Sequence, residues 1–327
     1  MSVDRKKTAP KVSIIISNFN GEKLLPACLD SLGKLNYSNY EVVVVDACST
    51  DESKKLIREQ FPGVKLVALD KKVGIGEAIN CGVNVANGEI LVIDFNTDET
   101  AEPNWLGRLV EVIQNQDNHK VIVGGARLQH GSERLVDDLG MKHLYPFGVS
   151  IKRYNGFPIE KCPKEDIQEV DYLNMLAMPN LAYQELGPFD QDYYFFGEDA
   201  EYCFRARSNR YKVLLVPTAI TWHRTSATIG KSTAFPFYCL RRSMLNLVLK
   251  YYPWYLLPCG LVGYSIIFLL DLILLLPFGY RIFPQKGFSM FSRRRRFGEV
   301  IADAKAIWWN MVRFPKIVRF RLSPVKH

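Results

Sequence analysis

The chain has 327 residues, 48% of them hydrophobic, and a formal net charge of +8, which is enough apolar material for one large domain with an appendage or for two modest domains. Its seven cysteines are dispersed without a CxxC pair, a pattern that argues against a zinc site or a disulfide framework and for reduced thiols. The N-terminal run MSVDRKKTAPKV contains no apolar stretch, so it does not resemble a secretory signal.

The positive charge is concentrated near the C-terminal end. Residues 284–327 hold eleven Lys or Arg and two acids, a net charge of +9, which leaves −1 for the rest of the chain. Such a basic segment is typical of nucleic-acid binding, of contact with anionic lipid, or of simple solubility. It follows residues 256–278, a run of 23 residues with Asp271 as its one charge. We therefore favour a membrane surface over nucleic acid.

Residues 12–125 alternate short β-branched runs with amphipathic helical patterns. The predicted strands are residues 12–16, 41–45, 64–69, 89–93 and 121–125. Their continuous apolar character is typical of a parallel sheet covered on both faces. The predicted helices between them lie near residues 24–32, 75–86 and 106–113. This alternation predicts an α/β fold with a mostly parallel, doubly wound sheet, in which ligands bind outside the carboxyl ends of the strands.

Polar loops follow three of the predicted strands and so fall on that ligand-binding edge. The first contains Asn18, the second contains Asp46 and Ser49, and the third spans residues 94–98. A turn with a helix N-cap explains Asp46 and Ser49 equally well. Acids at a strand end suit a hard divalent cation that neutralises a diphosphate as a Lewis acid. The alternative for residues 94–98 is a solvated acidic loop.

Residues 130–185 contain glycine turns but no clear period, and we assign them to a variable substrate-facing region. The segment that follows holds an aromatic run, the acids Glu198 and Asp199, a predicted helix with Tyr202 and Phe204, and a strand at residues 213–216. The aromatic run is expected to raise the pKa of the adjacent acid toward the range of a general base. Two acids in the first turn of a helix would give the same pattern.

Two weaker signals accompany these loops. His223 ends a strand in the run ITWH, a position that is more often structural than metal-ligating when taken alone. Lys72 and Gly74 belong to a short glycine loop before a helix, which suits a close approach of the backbone to a phosphate or a sugar.

The combination of these segments resembles the family 2 glycosyltransferases with the GT-A fold, particularly their rhamnosyltransferase-like, membrane-associated branch. The matching blocks are KVSIIISNFNG, EVVVVDACSTDES, VGIGEAINCGVNVANGEILVIDFNTDETAEPNWL, LGPFDQDYYFFGEDAEYCFRAR and VPTAITWH, and the resemblance covers residues 11 to about 250. Their order and spacing make it specific. It implies transfer of a sugar, with inversion, from a nucleoside-diphosphate sugar to a hydroxyl of a lipid-linked or cell-surface glycan acceptor.

The resemblance also implies a role for each matching residue. The donor nucleotide is expected to contact Asn18, Asp46, Ser49, Lys72, Gly74, Asn96 and Arg205, the last of which would face the diphosphate. Asn96 and Asp98 occupy the family's DxD element, and Asp98 and His223 are the expected ligands of Mg²⁺ or Mn²⁺. Asp199 is the expected catalytic base, with Glu198 beside it. The chain departs from the family pattern at Asn96, which replaces an aspartate, and at Lys72, which replaces an asparagine.

The predicted organisation has three parts. An N-terminal tail covers residues 1–10. A GT-A domain covers residues 11–250, with a nucleotide-binding half to residue 125 and an acceptor or catalytic half after it. A membrane-associating helical region with the basic tail covers residues 251–327. We expect the protein at the cell membrane, with its catalytic domain on the cytoplasmic face.

The mode of membrane attachment rests on the apolar run at residues 256–278, which is long enough to cross a bilayer. Basic residues lie on both sides of it, with Arg241, Arg242 and Lys250 on the N-terminal side. A single span would place one basic flank outside, against the positive-inside rule, so we favour a re-entrant or in-plane segment. The pattern around residues 300–312 predicts an amphipathic helix on the cytoplasmic surface. A buried core helix is the alternative for the apolar run.

Two other functions remain open at this point. One is a non-catalytic, nucleotide-sugar-binding membrane scaffold on the same fold, against which the joint presence of Asp98, Asp199 and His223 argues. The other is a nucleic-acid-binding protein that uses the basic tail, against which the adjacent apolar run argues. We expect no nucleic-acid partner.

Overall fold

The structure is a computed structural model that describes residues 9–145, 148–163, 167–224, 234–275 and 297–323. The described residues fall into two compact units. Within these described ranges, the first unit draws on residues 9–142, 152–163, 167–194 and 198–224, and the second unit draws on residues 143–145, 148–151, 195–197, 234–275 and 297–323. The basic residues that follow the apolar run, Arg281, Lys286 and Arg293 to Arg296, lie outside the described residues.

The helices and strands follow in chain order. The strands are β1 Val12–Asn18, β2 Tyr40–Asp46, β3 Lys65–Ala68, β4 Ile90–Asn96, β5 Glu99–Ala101, β6 Val121–Gln129, β7 Val136–Asp138, β8 Met141–Leu144, β9 Val149–Lys152, β10 Gln168–Glu169, β11 Leu176–Pro179 and β12 Lys212–His223. The helices are α1 Leu25–Leu32, α2 Ser53–Gln60, α3 Ile75–Val83, α4 Trp105–Gln114, α5 Asn180–Leu186, α6 Glu198–Ser208, α7 Ala234–Tyr251, α8 Leu257–Leu275 and α9 Phe297–Leu322.

A ten-stranded sheet forms the first unit. Its strand order is β10-β12-β6-β11-β4-β1-β2-β3, with β5 paired to β12 and β7 paired to β6. The strands β3, β2, β1 and β4 are parallel to one another, and so are β6 and β12. The predicted α/β fold and each predicted strand and helix of this part of the chain are confirmed. The pairing sets Asn18 beside Asp46 and Ser17 beside Asn96, so the polar loops share one edge.

The apolar strands are covered by helices, as their composition requires. Ile14, Val44 and Val92 are fully or almost fully enclosed in the core beneath α1 and α4. Helix α3 comes especially close to the sheet at Gly82. A Cβ atom there would lie 2.5 Å from Cγ2 of Ile15, so only a glycine permits this contact.

Two features of the sheet differ from the prediction. β3 is not covered on both faces, because it is the last strand of the sheet, and Lys65 and Ala68 are exposed. β11 lies antiparallel between β4 and β6, in a region where the sequence showed no period. A four-residue strand is too short to show a period, and its place depends on pairing with strands far away in the chain.

The second unit contains the described helices α7, α8 and α9. Leu245, Leu249, Tyr264 and Ile317 form its apolar core. The predicted helix at residues 300–312 is confirmed as part of the longer α9, and the apolar run at residues 256–278 is confirmed as α8 as far as residue 275, the rest lying outside the described residues. The predicted domain boundary at residue 250 stays a prediction, although α7 groups with the C-terminal helices.

Helix α8 is, within the described ranges, the one helix long and apolar enough to cross a membrane, and 33% of its apolar window is buried. Length and composition alone do not separate such a span from a core helix. The basic residues on its N-terminal side do not form an exposed flank. Arg241, Arg242 and Lys250 are all buried, with exposed fractions of 0%, 4% and 6%. They point into the helical unit, so they cannot serve as exposed charges in a positive-inside argument.

Candidate active site

Asn18, Asp46 and Ser49 form one hydrogen-bonded group at the ends of β1 and β2. Asn18 Nδ2 donates to Asp46 Oδ2 at 2.7 Å, and the Ser49 amide donates to Asp46 Oδ1 at 2.8 Å. The second bond confirms the turn that the sequence allowed, whereas α2 begins after Glu52, so neither Asp46 nor Ser49 caps it. Asn18 Oδ1 is buried without a hydrogen-bond partner among the described residues. A buried acceptor of this kind is costly unless a ligand donates to it.

Lys72 and Gly74 lie in the loop that leads into α3. Nζ of Lys72 sits 3.9 Å from the centroid of the Phe19 ring, a cation–π contact on the residue next to Asn18. A Cβ atom on Gly74 would lie 2.6 Å from the carbonyl oxygen of Tyr194, which accepts a hydrogen bond from the Ile75 amide. The close backbone approach at this glycine is therefore to another segment of the first unit.

The end of β4 and the end of β12 bring Asp98 and His223 together. The antiparallel pairing of β12 with β5 sets His223 opposite Glu99, and the Arg224 amide donates to the Asp98 carbonyl at 2.9 Å. Nε2 of His223 then lies 3.6 Å from Oδ2 of Asp98. The described residues contain no group of three or more His, Cys, Asp or Glu side chains arranged to hold a metal ion. Two protein ligands are nevertheless typical of a cation that is held partly by substrate phosphates.

A buried ionic network surrounds His223, and the sequence analysis missed it. Nδ1 of His223 lies 2.9 Å from Oδ2 of Asp137. Arg127 pairs with the same carboxylate at 3.1 Å and with Asp138 and Glu99 at 2.9 and 3.1 Å. Burial opposes a charge on His223, but its hydrogen bonds to Asp137 and Asp98 outweigh this and raise its pKa to about 9. Arg127 faces Asp138 only through the β6–β7 pairing, which no local pattern reveals.

Glu198 and Asp199 occupy the first turn of α6, as the helix interpretation of these acids predicted. Asp199 Oδ1 accepts a hydrogen bond from the Ala200 amide at 2.7 Å. Burial raises the pKa of Asp199 to about 6, although that amide and the charge of Arg127 act in the opposite direction. A carboxyl with this pKa is ionised at neutral pH and is a stronger base than an exposed aspartate.

Asp94, near the end of β4, interacts electrostatically with Glu198 and Asp199. It has a positive φ of 63° at an irregularity in the β1–β4 pairing, and it is 5% exposed. Burial, and then the charges of Glu198 and Asp199, hold the pKa of Asp94 well above its usual range. Asp94 therefore lies close enough to the acids that begin α6 to interact with them electrostatically.

Arg205 is buried, and its guanidinium is held by contacts within the first unit. It is 2% exposed, its Nη2 pairs with Glu201 at 2.8 Å, and its Nη1 donates to the carbonyl oxygens of Leu186 and Pro188 at 3.0 and 2.8 Å. Its cation also lies over the Tyr202 ring. These contacts give Arg205 a structural role and are at odds with the expected contact to a diphosphate.

Comparison with known proteins bears on this arrangement. Residues 13–170 match the family model described as glycosyl transferase family 2. This segment is a family 2 glycosyltransferase domain. Two curated relatives agree with it: an uncharacterized glycosyltransferase of Nostoc sp., 36% identical over 33% of the chain, and a PGL/p-HBAD biosynthesis glycosyltransferase of Mycobacterium bovis, 32% identical over 36% of the chain. The matches span 34% and 46% of the lengths of those relatives.

Solved structures show the same fold well beyond the family 2 domain. The structure of GalNAc-T7 with UDP, GalNAc and Mn²⁺ matches 98% of the chain and 59% of its own, with a TM-score of 0.62 at 16% identity. The mannosyltransferase PcManGT from Pyrobaculum calidifontis, in complex with GDP-Man and Mn²⁺, matches 93% of the chain and 88% of its own, with a TM-score of 0.59 at 18% identity. These similarities establish the GT-A fold.

Proposed function

We propose that the protein is an inverting glycosyltransferase that moves a hexosyl or deoxyhexosyl group from a nucleoside-diphosphate sugar to a hydroxyl of a lipid-linked or cell-surface glycan. The observation that carries this proposal is the contact of Asp98 with His223 on the same sheet edge as Asn18 and Asp46. This edge of the sheet therefore carries both a candidate cation site, at Asp98 and His223, and a candidate nucleotide pocket, at Asn18 and Asp46. In α/β sheets this edge is where ligands bind.

Asp98 and His223 have the right chemistry for Mg²⁺ or Mn²⁺. A carboxylate oxygen and a neutral imidazole nitrogen both ligate such ions, and Nδ1 of His223 is already held by Asp137, as in many metal-binding histidines. A divalent cation bound there would neutralise the charge that develops on the nucleoside diphosphate as it departs. Asn18 and Asp46 would hold the base and ribose, with Asn18 Oδ1 accepting from the ligand.

Asp199 would act as the general base. The acceptor oxygen attacks the anomeric carbon while its proton passes to the Asp199 carboxylate, and the bond from that carbon to the diphosphate oxygen breaks. The nucleoside diphosphate leaves from the face opposite the attack, so a single displacement inverts the configuration. The raised pKa of Asp199 favours proton acceptance in this step, and such a base typically contributes about 10²–10⁴-fold to the rate.

We further propose that the second unit attaches the enzyme to an anionic membrane surface. The exposed positions of α8 carry no charge, and its one charged residue, Asp271, is fully buried. The exposed large apolar residues of α8 are Leu261, Val262, Ile266, Leu269, Leu272 and Ile273. A helix with a broad apolar outer face suits contact with lipid.

Helix α9 exposes charges of one sign. Its acids, Glu299 and Asp303, are buried, whereas Lys305, Lys316 and Arg319 are exposed among apolar residues such as Trp308. Exposed cations beside exposed apolar side chains fit the boundary between anionic headgroups and acyl chains. Because anionic lipids enrich the cytoplasmic leaflet, the catalytic domain would face the cytoplasm, next to a lipid-linked acceptor.

The test of the enzymatic proposal is a screen of nucleotide sugars with the full-length protein in detergent. Nucleoside diphosphate released in the presence of Mg²⁺ or Mn²⁺ is measured, with and without an acceptor. We expect release with one donor and its loss in excess EDTA. Full activity in EDTA would show that cationic side chains, rather than a metal, neutralise the diphosphate. No release with any donor, together with nucleotide binding, would favour a non-catalytic scaffold.

A further inference from the structure

Asp137, the middle residue of β7, contacts His223 on the side away from Asp98. Its Oδ2 lies 2.9 Å from Nδ1 of His223 and 3.1 Å from Nε of Arg127. Its Oδ1 accepts a hydrogen bond from Lys152 at 2.5 Å. Asp137 is 2% exposed, so its carboxylate is shielded from solvent. Both carboxylate oxygens are thus held by cations, and the carboxylate has little freedom to move.

The contact between Asp137 and His223 determines which ring nitrogen of the histidine carries the hydrogen when the ring is neutral. An ionised carboxylate only accepts hydrogen bonds, so the nitrogen facing Asp137 must be the donor. That nitrogen is Nδ1. The atom left with a lone pair when the ring is neutral is Nε2, which lies 3.6 Å from Oδ2 of Asp98. The tautomer set by Asp137 is therefore the one that can ligate a cation together with Asp98.

We propose that Asp137 is a positioning residue that orients His223 and fixes its tautomer for binding of the divalent cation. This inference rests on the proposed role of Asp98 and His223 as metal ligands. Arg127 strengthens the arrangement, because the same guanidinium also binds Glu99, the neighbour of Asp98, at 3.1 Å. One cation thus joins the segment that carries Asp98 to the carboxylate that holds His223.

The chain offers a matched control in the next residue. Asp138 is 3% exposed and pairs with Nε of Arg127 at 2.9 Å, so its removal takes the same charge from the same network. Its other contacts are with Asn174 and the Gly140 amide. A purely structural role for the network predicts similar losses at the two positions. A positioning role predicts a loss of metal affinity specific to Asp137.

The experiment measures Mn²⁺ affinity of the full-length protein in detergent, by electron paramagnetic resonance, with UDP or GDP present. Removal of a residue that orients a metal ligand typically costs about 10–100-fold in affinity, and we expect this for Asp137→Ala. Asp137→Asn should lose less, because the amide oxygen still accepts from Nδ1. Asp138→Ala should stay close to wild type. In transfer assays, saturating Mn²⁺ should restore kcat of Asp137→Asn.

Three results would overturn the inference. Wild-type affinity in Asp137→Ala, with loss in His223→Ala, would leave the metal site in place and refute only the role of Asp137. Equal losses in Asp137→Ala and Asp138→Ala would assign the effect to the charge of the network. No Mn²⁺ binding by the wild type with either nucleotide would refute the proposed metal site and this inference together. Thermal unfolding of each variant shows whether it is folded.

Discussion

The guanidinium of Arg241 on α7 pairs with the carboxylate of Asp271 on α8, and both side chains are fully buried. Nε of Arg241 also lies 3.2 Å from Oδ1 of Asp303 on α9. One cation therefore joins the three described helices of the second unit. The pairing also explains how an acid is tolerated in the most apolar segment of the chain, since a buried charge requires a partner.

Arg241→Leu is expected to destabilise the second unit. The substitution leaves Asp271 and Asp303 buried without this counter-ion, and breaking a buried pair from one side costs about 3–5 kcal/mol of unfolding free energy. Thermal unfolding in detergent and limited proteolysis of α8 measure the effect. Arg242→Leu is the control, because Arg242 is equally buried but stacks on the Trp309 ring at 5.0 Å. Equal losses in both variants would contradict the role given to the ion pair.

Replacing Lys305, Lys316 and Arg319 with glutamine is expected to weaken binding to anionic vesicles. Each cation near an anionic surface contributes about 1 kcal/mol, so the triple variant should lose roughly 100-fold in affinity. Co-sedimentation with phosphatidylglycerol-containing vesicles measures this, with neutral vesicles alongside. The control replaces three exposed lysines of the first unit, Lys23, Lys34 and Lys55. An equal loss in the control would show that net charge, not the α9 surface, drives binding.

Asp199→Asn is expected to keep nucleotide binding and to lower kcat by about 10²–10⁴-fold, because an amide cannot accept the acceptor's proton. Glu198→Gln, one residue away, should lose much less. The comparison uses donor and acceptor at saturation, with UDP or GDP affinity as the check on folding. If Glu198→Gln is the inactive variant and Asp199→Asn is not, the roles of the two acids are reversed.

The pH dependence of the same reaction follows from the pKa of Asp199, which burial raises to about 6. Only the ionised carboxylate accepts a proton, so kcat should be constant above this pKa and fall as the pH drops through about 6, tenfold per pH unit below it. The residual activity of Asp199→Asn should lack this limb. An unchanged limb in the variant would assign it to another group.

Gly74→Ala and Gly107→Ala are expected to have opposite effects. At Gly74 the new methyl group would meet backbone atoms of Tyr194 at 2.6 and 2.7 Å, so the loop before α3 must shift, and both stability and nucleotide affinity should fall. Gly107 lies within α4 with nothing within 4 Å of the added atom, and alanine there should add about 0.5–1 kcal/mol of stability. Thermal unfolding of both variants, with nucleotide titration, measures this. Destabilisation by Gly107→Ala would contradict the open space seen at α4.

Much of the first unit follows from local sequence patterns. Runs such as EVVVV and EILVI predict buried parallel strands, and the polar residues after them predict a ligand-binding edge, because in a parallel sheet the carboxyl ends of strands meet. Asn18, Asp46 and Asp98 were found on this basis, and the structure places them on that edge. Helix α2 was not predicted, because SKKLIREQ contains only two apolar residues.

Tertiary structure alone decided which charged residues act together. Arg127 and Asp137 lie on consecutive strands, but His223 ends β12, far away in the chain, and nothing in the local spacing of these residues reports their contact. The same holds for Arg241, which sequence position placed on an exposed basic flank and which packing buried against Asp271. A period of two or 3.6 residues records which face of an element is covered. It does not record which distant side chain covers it, and that partner determines whether a charge is solvated, paired or available for chemistry.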